Sequence, residues 1–135
     1  MITALLKTLL LIPLALFQLV GPVPADLGVH HGALSPCPTP AHCASAIWRS
    51  ANPTGTLDQL ATLVAATPRT VVVERANGYL HATASSRIFG FVDDLELYAD
   101  PDHGVVQARS ISRLGDSDLG VNRRRLNALA AVLKD

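Results

Sequence analysis

Two segments of alternating apolar and polar residues, 91–99 and 105–112, limit what this 135-residue chain can fold into more than any other feature. The residues between them, Asp-Pro-Asp-His-Gly, are typical of a tight turn. The sequence therefore predicts an antiparallel hairpin with one apolar face and one polar, charge-paired face, since a slip by one residue would mix the two sets. The predicted pairs are Tyr98 with Val105, Glu96 with Gln107, Asp94 with Arg109, Leu97 with Val106 and Leu95 with Ala108.

The residues before this hairpin predict a helix followed by another hairpin. Thr56 and Gln59 have the spacing of a capping box, apolar residues then fall on one helical face, and Pro68 ends the helix. Strands are expected at about 70–75 and 79–85, because the Asn-Gly pair between them is a strong signal for a two-residue turn.

A second amphipathic helix is expected to begin near Ser117 or Asp118 and to bury a leucine-rich stripe. Two helices that cover one face of four antiparallel strands make an α+β, two-layer domain. The proline-rich residues before it predict an extended N-terminal arm pinned by Ile47 and Trp48. The expected organisation is an N-terminal segment at 1–25, the arm at 26–55 and the α+β domain at 56–135.

An uncharged, strongly apolar segment precedes the arm. Residues 8–25 carry no charge, and the Val-Pro-Ala sequence before Asp26 has the form of a signal-peptidase site. A secretory signal peptide is the first interpretation. An uncleaved membrane anchor stays open, because residues 2–20 approach the roughly 20 apolar residues that span a bilayer. Both interpretations predict an exported protein, either periplasmic or held on the inner membrane facing the periplasm.

Two cysteines, Cys37 and Cys43, lie in a short proline-rich segment. In an oxidising compartment such a pair predicts one disulfide. Two free thiols remain an alternative, as does a metal site that adds His42 and the nearby His30 and His31. The spacing is not one of the common zinc patterns, so neither a metal nor another cofactor is expected.

A long polar string carries a resemblance to a known family. Residues 86–96 read S-R-I-F-G-F-V-D-D-L-E, and residues 109–125 read R-S-I-S-R-L-G-D-S-D-L-G-V-N-R-R-R. The string resembles the small bacterial and plastid proteins of domain-of-unknown-function family 1499. The segment C-P-T-P-A-H-C also resembles the cysteine segment with which that family often begins, behind a signal peptide or membrane anchor, although His42 stands where the family often has asparagine. The resemblance covers about residues 34–134 and implies no established catalytic or binding residue.

Charged residues on the 91–112 hairpin and the loop after it form the candidate site. A structural interpretation pairs Arg109 with Asp94 across the strands and lets Ser117 or Asp118 cap the last helix. A functional interpretation gives Arg87, Arg109 and Arg113 an anionic ligand near the N-terminus of that helix. The sequence leaves both open. The candidate binding residues are Arg87, Asp94, Arg109, Arg113, Asp118, Asn122 and Arg123.

Little in the sequence favours catalysis, and no catalytic residue is assigned. Asp93 and Asp94 are adjacent on a strand, so they point to opposite faces and make a poor acid and base pair. A small hydrolase with a serine nucleophile is the alternative to a non-enzymatic binding or structural module. No spacing in the sequence, however, indicates that the serine, histidine and aspartate of its triad meet. That triad would draw on Ser110 or Ser112, His81 or His103, and Asp93.

The charge balance limits the partners. Eleven basic and eleven acidic residues leave no net charge, and three adjacent arginines supply few phosphate contacts, so no nucleic-acid partner is expected. Residues 56–120 hold nine acids and five bases, whereas residues 121–135 hold four bases and one acid. The last helix is therefore expected to lie against an acidic body or to face an acidic partner. Expected partners are an envelope protein or a small anionic ligand, with the membrane added if the N-terminal segment is uncleaved.

Overall fold

A computed structural model of the protein describes residues 20–133, so most of the expected signal or anchor segment lies outside the described residues. Neither helix in this part of the chain is long and apolar enough to cross a membrane. The elements are β1 (Val29–His30), β2 (Ala33–Leu34), β3 (Cys43–Arg49), α1 (Pro53–Ala66), β4 (Thr70–Ala76), β5 (Tyr79–Ser85), β6 (Val92–Asp100), β7 (Val105–Ser112) and α2 (Val121–Ala131).

The α+β class is confirmed, but the predicted count of four strands is wrong. Five antiparallel strands form one sheet in the order β3-β7-β6-β5-β4, and β1 and β2 form a separate two-stranded ribbon. The additional strand, β3, was expected to be part of the extended arm. Its inward-facing residues include the small Ala44 and Ala46, so the apolar alternation is weak. Ile47 was expected to pin the arm, yet it is 71% exposed.

The β6–β7 hairpin has the predicted faces but a register shifted by two residues. Asp100 stays in the ladder opposite Val105, and Glu96 therefore lies opposite Arg109. The Asp100 carboxylate accepts hydrogen bonds from the backbone N and the Nδ1 of His103, which closes a shorter turn. A shift of two preserves the side-chain alternation, so the two faces are confirmed. The predicted pair of Asp94 with Arg109 is wrong, because Asp94 lies opposite Ile111.

Helix α1 begins before the predicted capping box. Asn52 is the N-cap and accepts a hydrogen bond from Gly55 N, and Pro53 occupies the first turn, where a missing N–H costs nothing. The Thr56 hydroxyl instead forms a hydrogen bond with the Ser50 hydroxyl. The helix ends at Ala66, in agreement with the predicted stop.

Helix α2 begins three residues later than the second predicted start, Asp118. The Asp118 carboxylate accepts hydrogen bonds from the backbone N of Gly120 and of Asn122, so it satisfies first-turn amides from outside the helix. Leu126 and Leu129 are buried, as the predicted stripe requires.

Both faces of the central sheet are covered. The two helices cover the apolar face, where the leucines of β5, β6 and α2 are buried. The N-terminal arm covers the polar face: Gly28 N donates to Glu96 Oε1, and Leu34 N donates to Gln107 Oε1. The charged residues of β6 and β7 are therefore enclosed between the sheet and the arm.

Candidate functional site

Arg109 is the centre of a buried ionic network on the polar face. Its side chain is fully buried. Its Nε donates to Glu96 Oε2 at 2.7 Å, and its two terminal nitrogens donate to the Asp26 carboxylate at 2.9 and 3.0 Å. The other Glu96 oxygen accepts hydrogen bonds from Tyr79 OH at 2.8 Å and Gly28 N at 2.7 Å. Arg109 of β7 thus connects the sheet to the beginning of the arm.

The pKa shifts in this network favour a charged Arg109 paired with a charged Asp26. Hydrogen bonds from Arg109 lower the pKa of Asp26, against the opposing effect of partial burial. Burial acts to lower the pKa of Arg109, but the hydrogen bonds to Asp26 and Glu96 outweigh it and raise that pKa. Burial, and then the hydrogen bond to Glu96, raise the pKa of Tyr79, so its hydroxyl remains a donor.

A second ionic group, two residues earlier on β6, is built around Asp94. This fully buried carboxylate accepts hydrogen bonds from His81 Nε2 at 2.7 Å and from Arg113 at 2.8 and 3.0 Å. Burial acts to raise the pKa of Asp94, but the bonds from His81 and Arg113 outweigh it and lower the pKa. The hydrogen bonds to Asp94 raise the pKa of Arg113. Two of the three guanidinium groups expected to bind an anion, those of Arg109 and Arg113, are therefore occupied by carboxylates of the same chain.

Asn122 lies on the helix-covered face and makes a separate polar group. Its side-chain oxygen accepts hydrogen bonds from Ser110 Oγ at 2.7 Å and Arg125 at 2.9 Å. Its side-chain nitrogen donates to the His42 carbonyl, to Ser112 Oγ and to Asp118. Arg125 also pairs with Asp93 at 2.9 Å, which is one ion pair between the last helix and the acidic part of the sheet. Fully buried, Asn122 joins α2 to the end of β7.

The candidate residues from the sequence thus occupy several places. Arg109, and Arg113 with Asp94, are on the polar face, whereas Asn122 and Asp118 are at the start of α2. Arg123 is exposed and donates to the Ser45 carbonyl oxygen. Arg87 is exposed in the loop after β5 and forms no side-chain hydrogen bond or salt bridge with any residue from 20 to 133.

Several residues of the polar face were missed as site residues. Glu96 and His81 lie on the polar side of alternating strands, and that alternation was the available signal. Asp26 is the first charge after the apolar segment, but nothing local in the sequence connects it to Arg109. Tyr79 was missed because a tyrosine after an Asn-Gly turn is typical of any hairpin.

The residues drawn for a serine-based triad lie on different faces of the sheet. Ser110 and Ser112 are bound to Asn122 beneath α2, whereas His81 is on the polar face with Asp94. His81 also lines a cleft of about 470 Å³ between the arm and the β4–β5 hairpin, together with Tyr79 and Tyr98. No serine, threonine or cysteine is among the described residues that line this cleft.

The predicted disulfide between Cys37 and Cys43 is confirmed. The loop that it closes is attached to the polar string by backbone hydrogen bonds: Asp118 N donates to the Ala41 carbonyl, and Ser112 N donates to the His42 carbonyl. Among residues 20–133 there is no group of three or more histidine, cysteine or carboxylate side chains placed to hold a metal ion.

Two loops at one end of the sheet form a surface that we call the loop face, residues 86–91 and 113–120. They lie side by side and line a common cavity of about 360 Å³. Apolar side chains project from both: Ile88 and Leu119 are each 83% exposed, and Phe89 is 61% exposed. Leu119 also has a positive φ of 53°, a conformation that large apolar residues rarely adopt. The fold therefore holds apolar side chains in water at this end.

The N-terminal segment joins the domain at the same end. Gly21 has a φ of +74°, and a Cβ there would lie 2.8 Å from Leu114 Cγ, so the backbone packs directly against the loop face. From there the arm runs over the polar face to Asp26. The described part of the chain therefore begins, at residues 20 and 21, beside the exposed apolar loops.

Comparison with known proteins identifies one family. No curated protein and no solved structure matches the chain significantly. The family model that does match is described as a protein of unknown function, DUF1499, and it covers residues 31–133, from the arm to the last helix. The match includes the cysteine loop, the carboxylate-bound Arg109 and Arg113, and the whole polar string. The chain therefore belongs to the DUF1499 family.

Proposed function

We propose that this protein is an exported, non-enzymatic domain that lies on the anionic surface of an envelope membrane through its loop face. One observation carries the proposal: the entry of the chain at Gly21 and the exposed apolar side chains are at the same end of the sheet. An apolar N-terminal segment in the bilayer would hold this end towards the lipid. The opposite end, with the Asn77-Gly78 turn, would face away.

The apolar residues of the loop face suit an interfacial role. Ile88, Phe89 and Leu119 are large, exposed and held on adjacent loops, and Phe89 contacts Phe91 with ring centroids 5.7 Å apart. Exposed apolar patches of this kind mark membrane or protein contacts. Side chains that enter the boundary between headgroups and acyl chains gain the free energy of leaving water.

The charges around these loops favour anionic lipid. Arg87 lies within the first loop, and Arg69 and Arg124 border the loops. None of the three forms a salt bridge within the described part of the chain. Asp116 and Asp118 are the acidic residues of the loops, so these three exposed arginines exceed the carboxylates by one. Each basic residue near an anionic bilayer contributes about 1 kcal/mol to binding.

The buried arginines support a structural role beneath this surface. Arg109 holds Asp26 at the beginning of the arm, and Arg113, the first residue of the second loop, holds Asp94 of β6. Because their donors are occupied inside the domain, we assign these arginines to fixing the arm and the loops, and we assign contact with lipid to the exposed arginines. No step of the proposal needs a nucleophile or a cofactor.

Fluorescence quenching by brominated lipids tests the proposal. The full chain carrying Phe89→Trp is reconstituted into vesicles of brominated phosphatidylcholine and phosphatidylglycerol, and the unmodified protein supplies the emission of Trp48 for subtraction. The matched control is Asp102→Trp, which places the new indole on an exposed turn at the opposite end of the sheet. We expect strong quenching of the indole at position 89 and little at position 102.

The outcomes separate the possible partners. Loss of quenching at position 89 when phosphatidylglycerol is omitted would support recognition of anionic lipid. Equal quenching at the two positions would contradict the proposed orientation. Absence of quenching at both would leave the loop face available to a protein partner and would overturn contact with the bilayer.

A further inference from the structure

A groove separates the two helices on the outer side of the helical layer. Helices α1 and α2 approach each other where Gln59 Nε2 donates to the Val132 carbonyl oxygen at 3.3 Å. Between α2 and the C-terminal half of α1 lies a cavity of about 470 Å³. This volume lies within the range of roughly 300–1,000 Å³ found for small-molecule sites.

The walls of the groove are largely apolar, with Thr67 and Thr70 as the uncharged polar residues in the lining. Leu63 and Val64 line it from α1, Leu129 and Val132 line it from the other side, and Leu95 of β6 forms the floor. Leu63 and Val132 are each 37% exposed, so apolar surface remains in contact with water along the groove. An alkyl chain in this position would remove that surface from water, which is favourable in proportion to the area covered.

A cation lies at the edge of the groove. Arg125 is held there by Asp93 and Asn122, but the adjacent Arg124 donates only to the Leu119 carbonyl oxygen among the described residues. The Arg124 side chain is exposed and pairs with no carboxylate from residue 20 to residue 133. Its remaining N–H groups can therefore donate to an anionic headgroup, the contact for which a guanidinium is best suited.

We infer that the groove binds a single-chain anionic amphiphile, with the alkyl chain between the helices and the headgroup on Arg124. One apolar cleft with one available cation matches one alkyl chain with one anionic head. Fatty acids and monoacyl phospholipids share this chemistry. The groove and the loop face share Arg124 but use different apolar residues. The inference therefore does not require the loop face to contact a bilayer, and the apolar residues that take up label distinguish the two proposals.

Photochemical labelling locates the site directly. The full chain in nanodiscs is mixed with palmitate or with lysophosphatidylglycerol, each carrying a diazirine on the alkyl chain, and is then illuminated. Labelled peptides are identified by mass spectrometry. We expect label on groove residues of α1 and α2, and the probe with the higher yield identifies the headgroup class. Arg124→Gln should lower the labelling affinity about tenfold, since it removes a hydrogen bond between charged groups. Arg123→Gln on the same helix should leave it unchanged.

A matched pair of exposed alanines tests occupancy of the groove. Ala128 lines the groove and Ala131 does not, so Ala128→Phe should abolish groove labelling and Ala131→Phe should not. Circular dichroism shows whether both variants remain folded. Groove labelling that survives Ala128→Phe, or label confined to the loop face, would overturn the inference, and the second result would still support membrane contact. Groove labelling without label on the loop face supports the inference and counts against the proposed membrane orientation.

Discussion

The carboxylate of Asp26 receives two hydrogen bonds from the guanidinium group of Arg109, 83 residues later in the chain, at 2.9 and 3.0 Å. Arg109 is fully buried, whereas about half of the Asp26 side chain is exposed. The contact closes the arm over the polar face and enables the buried arginine to be charged. It adds an ion pair to the hydrogen bonds from Gly28 N to Glu96 and from Leu34 N to Gln107 that also hold the arm.

Asp26→Asn should therefore loosen the arm. Loss of the charge leaves Arg109 with Glu96 alone, and we expect the free energy of unfolding to fall by about 1–3 kcal/mol, the range for an unsatisfied buried donor. Hydrogen exchange should quicken in residues 27–36 more than in β6. The control is Asp116→Asn, which changes an exposed carboxylate. Equal exchange in the arm of both variants would show that Asp26 does not hold it.

Arg113→Glu distinguishes a structural arginine from a binding one. The variant places a second carboxylate beside the buried Asp94, and breaking such a pair costs about 3–5 kcal/mol. Arg87→Glu changes an exposed arginine and should alter stability by less than about 0.5 kcal/mol. Urea denaturation of the two variants measures both values. A stable Arg113→Glu protein that has lost capture of an anion would instead favour the ligand-binding interpretation.

Stability should decrease in acid because the pKa values of Asp26 and Asp94 are lowered in the folded protein. A carboxyl group with a lowered folded pKa contributes stability above its unfolded pKa, about 3.9 for aspartate, and loses it as the pH falls through the folded value. Denaturation curves at a series of acidic pH values should therefore show a falling free energy of unfolding. In Asp94→Asn this slope should be shallower than in the unmodified protein.

Removal of the disulfide should cost little global stability but should loosen the loop face. Cys37 and Cys43 are six residues apart, so the bond removes less entropy from the unfolded chain than the about 3 kcal/mol expected for a 15-residue loop. The closed loop, however, supplies the Ala41 carbonyl to Asp118 N. We expect the double Cys→Ser variant to lower Tm modestly and to accelerate exchange at residues 113–120. A global loss well above 3 kcal/mol would show that the loop has a larger role.

The sequence predicted most of the fold because the alternation and turn signals are local. The Asn77-Gly78 hairpin, the β7 boundaries and the two hairpin faces are confirmed. The register was wrong by two residues, because a shift of two keeps the same faces and only the turn decides between the alternatives. Strand β3 was missed because Ala44 and Ala46 give little apolar contrast.

The candidate site was less predictable, since its contacts are long-range. Sequence alone indicated that Asp94, Arg109 and Arg113 lie close together. It did not indicate which carboxylate each arginine binds, because those partners depend on the register and on an arm distant in sequence. The sequence also did not indicate that Ile88 and Leu119 are exposed. Buried and exposed loop positions can carry the same residue types, so the pattern does not distinguish them.

Hydrogen exchange of the full chain in nanodiscs gives the most direct test of membrane contact by the loop face. Exchange is compared between nanodiscs with and without phosphatidylglycerol, with the opposite turn at residues 101–104 as the internal reference. We predict slower exchange at residues 86–91 and 113–120 when the anionic lipid is present, and no change at residues 101–104. Unchanged exchange at the loop face, or equal protection at both ends of the sheet, would contradict the proposed membrane orientation.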